Sequence, residues 1–257
     1  ITEFPVPAPN SAPDGITPSP DGNLWFTEYQ GNNIGRITST GAVTEFPIPT
    51  SNSGPEGITA GPDGNLWFIE HNGPGVARIT PSGSVTEFQT PTPGSFPDGS
   101  CGIAAGPDGN LWFAAQGSNT VDRTTPQGVI TEFPVPTANS GAGDMAVGSD
   151  GNLWFVEAYS NKIGRITTAG AITEFTIPTA NTAPSGIANG PDGNLWFAER
   201  TGNNIGRITP AGSITEYPIP TPNSDALCIR LGPDGNLWFA EGNGNKVARI
   251  TSAGVIT

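Results

Sequence analysis

The sequence predicts an all-β fold, a ring of six four-stranded antiparallel blades, and three observations carry that prediction. First, the word Gly-Asn-Leu-Trp-Phe begins at Gly22, Gly64, Gly109, Gly151, Gly193 and Gly235, at intervals of 42 residues with one of 45. A fixed period of about 40–50 residues made of short strands is the signature of a six-bladed β-propeller when it recurs six times. Second, all six tryptophans fall inside this word. Third, the 36 glycines and 27 prolines recur at repeat positions rather than in blocks, which marks turns and not a disordered tract. One domain spanning residues 1–257 follows, with a three-residue insertion in its third repeat.

The second repeat shows how each strand arises. Gly57 to Gly61 reads as a short first strand, innermost in a blade. Asp63-Gly64 is a hairpin signal, because glycine relieves the positive φ of tight turns. Asn65 to Glu70 is the second strand, with Leu66, Phe68 and Glu70 on one face and Trp67 and Ile69 on the other. Large apolar groups on both faces suit a blade packed between two neighbours. Gly75 to Thr80 and Ser84 to Phe88 supply strands three and four. Prolines follow the fourth strand in most repeats (Pro47 and Pro49, Pro134 and Pro136), which places it at the outer edge.

The repeated charges read as scaffold. Arg36, Arg78, Arg123, Arg165, Arg207 and Arg249 share one position on strand three, and Glu3, Glu45, Glu87, Glu132, Glu174 and Glu216 one on strand four. A hairpin pairing Ile37 with Thr44 would set Arg36 opposite Glu45 as a cross-strand ion pair. Thr257 lies 42 residues after Thr215, so the next copy of Thr-Glu-Phe is the one at Thr2-Glu3-Phe4. The N-terminal strand is therefore expected to complete the last blade and close the ring.

Composition excludes some functions. A net charge of −13 with only two lysines, Lys162 and Lys246, argues against nucleic acid as a partner. No apolar run reaches the length of a membrane span. The acidic, Pro- and Thr-rich chain fits a secreted or periplasmic monomer.

Ile-Gly-Arg-Ile-Thr at Ile34, Ile163 and Ile205, the Thr-Glu-Phe-x-Ile-Pro-Thr run and Gly-x-Asp-Gly-Asn-Leu-Trp-Phe together resemble the streptogramin B lyase (virginiamycin B lyase) family. The resemblance runs the length of the chain. It implies a β-propeller, seven-bladed in the lyase itself, that opens a cyclic depsipeptide ester by elimination with Mg²⁺ and a histidine base. The implied histidine stands in a Pro-His-Gly-Ile word where the first strand begins. The matching positions here hold Asp14, Glu56, Cys101, Gly143, Ser185 and Leu227. The chain's single histidine, His71, follows strand two instead. A mechanism that needs a histidine base at that word has none in this sequence.

Subtracting the repeat isolates what is individual. Six acids repeat at the hairpin Asp, six at the strand-four Glu and five at the end of strand two (Glu28, Glu70, Glu157, Glu199, Glu241). The strand-two Glu is read as holding neighbouring backbone N–H groups. Asp14, Glu56, Asp98, Asp122, Asp144 and Asp225 remain, and all but Asp122 lead into a first strand. Such acids either cap turns or gather at one mouth of the axial channel, where they would invite a hard cation, Mg²⁺ or Ca²⁺. Asp14, Glu56 and Asp144 are the candidate metal ligands. Arg230 replaces the small residues Thr17, Thr59, Ala104, Ala146 and Ala188 of the other repeats, so it must reach a carboxylate or a ligand. Cys101 and Cys228 are read as two small buried thiols rather than a bridge. Blade three breaks the pattern at Ala115, Asp122 and Thr124, which marks either a site or drift.

The ligand-binding set is thus Asp14, Glu56, His71, Asp98, Cys101, Asp144, Ser185, Asp225 and Arg230. The function expected first is binding of a cation or small ligand at an acidic channel mouth. A metal-assisted lyase or hydrolase of cyclic esters, with Glu56 or Asp144 as base, stands second. A structural or protein-binding ring stands third.

Overall fold

A computed structural model describes residues 2–95 and 102–257, so Asp98 and Cys101 lie outside the described residues. The fold is a six-bladed β-propeller, all β, with its strands in six antiparallel sheets and no helix among the described residues. Two compact units divide it: Ile1–Ala105 with Gly109–Pro134, and Gly106–Asp108 with Val135–Thr257. The first unit carries blades one to three and the second blades four to six.

Blade two is representative. Its strands, Pro55–Ala60, Leu66–Glu70, Gly75–Ile79 and Val85–Gln89, pair in sequence order. The Asp63 carboxylate builds the hairpin between the first two. It accepts from the Asn65 backbone (3.2 Å), the Asn65 side chain (2.8 Å) and the Trp67 indole (3.1 Å). Burial raises its pKa, but these hydrogen bonds outweigh that and hold it below the usual carboxylate value. Asp21, Asp150 and Asp192 are held down by the same contacts in their own blades.

Trp67 is fully buried and stacks on Phe88 of strand four, ring centroids 5.3 Å apart, with the Arg78 guanidinium 5.7 Å from its ring. Arg78 also lies over Phe88 and donates to the Pro126 carbonyl of the next blade (2.9 Å). The expected Arg–Glu pair is therefore corrected. Ile37 faces Val43, not Thr44, so Arg36 faces Thr44 and Glu45 faces Gly35. A shift of one residue turns the two side chains to opposite faces of the sheet. The arginine goes to the aromatic pair, and the glutamate reaches the segment before it: Glu87 Oε1 accepts from Thr50 N at 2.9 Å.

Blades pack through complementary faces. Trp25, Ile34 and Ile48 of blade one meet Ile58, Leu66, Phe68 and Ile79 of blade two in one buried cluster. Trp154, Val156 and Ile163 meet Ile187, Leu195 and Phe197 in the same way in the second unit. The fourth-strand ring also seals the next hairpin. A Cβ on Gly83, whose φ is +91°, would stand 2.2 Å from Phe46, so only glycine seats that ring.

The sixth blade differs from expectation. Its sheet has three strands, Ala226–Leu231, Leu237–Glu241 and Lys246–Ile250. The fourth position is begun by Ile256, bridged to Ile250, with Arg249 and Thr257 exchanging backbone hydrogen bonds. The described residues of the N-terminal segment form no strand. Phe4 instead sits against Gly41 of blade one, and Ala8 N donates to Glu45 Oε1 at 2.7 Å.

Candidate functional site

Among the described residues, the first strands of blades one, two, four, five and six each carry a bulge near the variable positions. The register between strands one and two slips between Pro13 and Ile16, Pro55 and Ile58, Ala142 and Met145, Ser185 and Ile187, and Leu227 and Arg230. A bulge re-aims side chains out of the pleat, which frees Asp14, Glu56, Asp144 and Cys228 from purely structural alternation, while Ser185 stays paired with Ala198. Beyond the bulge, Pro55 pairs with Glu70 and Ala142 with Glu157, so the strand-two acids end beside it.

In the second unit the structure joins Asp144 and Arg230. Asp144 is 7% exposed, and Arg230 Nη1 lies 3.2 Å from its Oδ2. Oδ2 also accepts from Ile187 N (2.9 Å) and Oδ1 from Met145 N (2.9 Å). The guanidinium further donates to the Ile187 and Ile229 carbonyls. Burial pushes the Asp144 carboxyl up, while Arg230 and the two N–H groups pull it down. One carboxylate thus ties together residues from blades four, five and six. Arg230→Ala leaves Asp144 buried without its cation and is expected to cost roughly 2–4 kcal/mol in urea unfolding. An unchanged midpoint would show that the pair holds nothing together.

Asp225 pairs with Arg200 at 2.9 Å, both side chains partly exposed. Ser185 donates to the Ala226 carbonyl. Cys228 is exposed and has a φ of +48°, which corrects the reading of a buried thiol: it holds the bulge position that is Gly186 in the preceding blade.

In the first unit Glu56 meets His71, Oε1 to Nδ1 3.7 Å apart, with side chains 13% and 30% exposed. Tyr29 tilts over the imidazole at 6.4 Å, and its hydroxyl accepts from Asn72 Nδ2 at 3.5 Å. Sequence reasoning missed this grouping, although the period contained it. Tyr29 and His71 are 42 residues apart, so they hold one loop position in adjacent blades. Asp14 is exposed at the rim of an apolar groove.

The strand-two acids also behave differently from expectation. Glu28, Glu157 and Glu199 bond the side chains of Asn33, Ser160 and Asn204 rather than neighbouring backbone. All are buried, and each lies close to the strand-four acid of its blade. Burial, then the charge of Glu87, push Glu70 up to about 8. Burial pushes Glu157 and Glu199 up to about 7, and the charges of Glu174 and Glu216 add to it. Blade three is a compensated exchange. It has Ala115 in place of the glutamate, but buried Asp122 on strand three accepts from Thr120 (2.7 Å) and is pushed up to about 7 by burial, with Glu132 adding to it.

Among the described residues no group of three or more His, Cys, Asp or Glu stands close enough to hold a metal ion. The expected donors are taken by bases instead, Asp144 by Arg230 and Glu56 by His71. The described residues show no donor set that fits a resident Mg²⁺ or Ca²⁺. No helix of the described residues is long and apolar enough to cross a membrane.

Blades of this build define a β-propeller in which one repeated scaffold carries individual residues on its first strands. The chain belongs to the virginiamycin B lyase family, whose pattern matches residues 1–176 and 98–257. It is similar over its full length to a solved streptogramin B lyase (TM-score 0.93, 38% identity), covering 85% of that chain. It is similar too to a catalytically inactive histidine-to-alanine variant of virginiamycin B lyase from Staphylococcus aureus, solved with quinupristin. That match has a TM-score of 0.94 and 41% identity, and covers 100% of this chain and 86% of the other. Virginiamycin B lyase of Bacillus licheniformis is 49% identical over 43 residues, 17% of this chain and 15% of its own length, about one repeat.

Proposed function

We propose that the chain binds a small cyclic ester of the streptogramin B kind on its first-strand bulges and leaves the ring closed. The Arg230–Asp144 pair carries this reading. A guanidinium whose side chain is 43% exposed, at a position small in the other blades, is braced by a buried carboxylate. Such a brace fixes donors toward carbonyl oxygens of a ligand at low entropic cost. With Asp144, Glu56 and Asp225 each set against a base, the site suits an organic ligand carrying both donors and acceptors better than a bare cation. The acidic composition supports a monomer acting in a secreted or periplasmic setting.

Calorimetric titration with quinupristin tests the proposal. Saturable binding is expected, weakened about tenfold in Arg230→Ala, for the loss of one charge-assisted hydrogen bond. Chromatography should return the ligand intact. Absence of heat, or equal affinity of the variant, would sink the reading.

A second reading is ring opening, favoured by one observation. Glu56 stands where the family resemblance puts its histidine, and His71 stands against it. A carboxylate beside an imidazole orients it as a general base. Accumulation of a ring-opened product that His71→Ala abolishes would establish this reading in place of the first.

A further inference from the structure

In each blade that keeps the strand-two glutamate, the residue five positions further on opens strand three and helps decide what that buried carboxylate meets. In blades one and five it is asparagine: Asn33 donates to Glu28 (3.2 Å) and Asn204 to Glu199 (3.0 Å). In blades four and six it is lysine, and the Lys162 ammonium lies 2.7 Å from Glu174 Oε2 and 2.6 Å from Thr137 Oγ1. Blade four adds a second donor, Ser160, to Glu157 at 2.7 Å. Blade two has glycine at both places, Gly73 and Gly75. Its Glu70 is fully buried, and neither carboxylate oxygen has a hydrogen-bond partner among the described residues. A buried carboxylate with neither donor nor counter-charge is costly, so it points to a partner from solution.

The surroundings of Glu70 repeat those of blade four without the ammonium. Glu87 faces Ala77 and Ala77 faces Phe68, so Glu70 and Glu87 lie on one face of the sheet. Thr50 N holds Glu87 Oε1 at 2.9 Å, as Thr137 N holds Glu174 Oε1 at 2.9 Å. Glu87 Oε2 is then the counterpart of the oxygen that Lys162 takes. A Cβ on Gly73 would stand 2.8 Å from Glu70 Cβ and 3.1 Å from Ser53 Cβ, so Ser53 borders the same place. Its hydroxyl donates to Asn32 Oδ1 (3.0 Å), which leaves oxygen lone pairs to offer a cation.

We propose that Glu70, Glu87 and Ser53 form a seat for a small monovalent cation, sodium or potassium, which does in blade two what the Lys162 ammonium does in blade four. Oxygen ligands suit such a hard ion. Two carboxylates and a hydroxyl answer a single positive charge, whereas a resident divalent ion calls for further acidic ligands that the described residues do not supply. The ion's role is structural: it ties the end of strand two to strand four and to the segment that leads into the blade.

Thermal unfolding at pH 8 in about 0.1 M NaCl, KCl or choline chloride tests the proposal, because the three salts screen charge equally and choline is too large for a buried seat. Tm is expected to be ~2–4 °C higher in NaCl or KCl than in choline chloride, the shift for a site filled at roughly ten times its Kd. Glu70→Gln should lose that difference. Gly73→Ser, which supplies the donor that Ser160 gives Glu157, should shrink it. Equal Tm in the three salts would overturn the proposal. So would a salt difference of the same size in Glu70→Gln, since the effect would then belong to the acidic surface.

Discussion

Trp67→Ala lowers the stability of the protein by about 3–5 kcal/mol, the range for an aromatic residue deleted from a packed core. The indole is fully buried, stacked on Phe88, capped by Arg78 and hydrogen-bonded to Asp63. Its removal opens a cavity between blades and takes a partner from all three neighbours at once. Trp238→Ala is the matched control. That indole occupies the same position in blade six and also bonds its hairpin Asp, but it is 37% exposed. Arg249 lies over it, yet in its three-stranded sheet it has no fourth-strand ring of the kind that Phe88 gives Trp67. Its cost should be roughly half that of Trp67 or less, because apolar area already in contact with water contributes little. Urea unfolding followed by far-UV circular dichroism measures both. Equal costs at the two positions would mean that inter-blade stacking does not govern the contribution of this residue.

The comparison also shows what kind of information the repeat holds. Fold class, strand order and the burial of Trp67 were legible because six copies repeat the same residues at one period, and a period survives any local ambiguity. Register was not. Whether Ile37 faces Val43 or Thr44 depends on the Thr38 to Ala42 turn, and one residue of slip moved Arg36 from Glu45 to the aromatic pair. The outer strand of blade six was read from sequence distance alone, and distance cannot say which sheet a terminal segment joins. Asp144 and Arg230 stood out as individual residues, but only three-dimensional proximity shows that one carboxylate serves three blades. Asp122 was visible as an irregularity. Its meaning, a buried acid moved across the ladder to replace the one lost at Ala115, needed the Phe113–Asp122–Glu132 register. Where the sequence departs from its own repeat, it flags a position without giving the reason.

Stability should fall as pH rises from about 5 to about 8, a trend that the growing self-repulsion of a chain with a net charge of −13 reinforces. The cause is the row of buried carboxyls. Glu70 is pushed up to about 8, and Asp122, Glu157 and Glu199 to about 7. In the unfolded chain these groups titrate near 4. Between those values the folded protein keeps the protons and the unfolded chain has released them, so raising the pH favours unfolding. Their contribution is fully present below about pH 4 and is lost as pH passes through 7 to 8. Each group accounts for on the order of 1–3 kcal/mol. The groups facing them reinforce the trend: Glu87, Glu132 and Glu216 are acids, and among the described residues Glu174 alone of these four is paired with a cationic side chain, Lys162, at 2.7 Å. The hairpin acids Asp21, Asp63, Asp150 and Asp192 act oppositely, since their lowered values give stability that is lost only as pH falls below 4. Maximum stability therefore lies in the mildly acidic range. Glu70→Gln keeps the shape and removes the titration, so the difference between urea midpoints at pH 5 and pH 8 should shrink in this variant. A slope identical to that of the unsubstituted protein would mean that Glu70 does not contribute to the pH dependence.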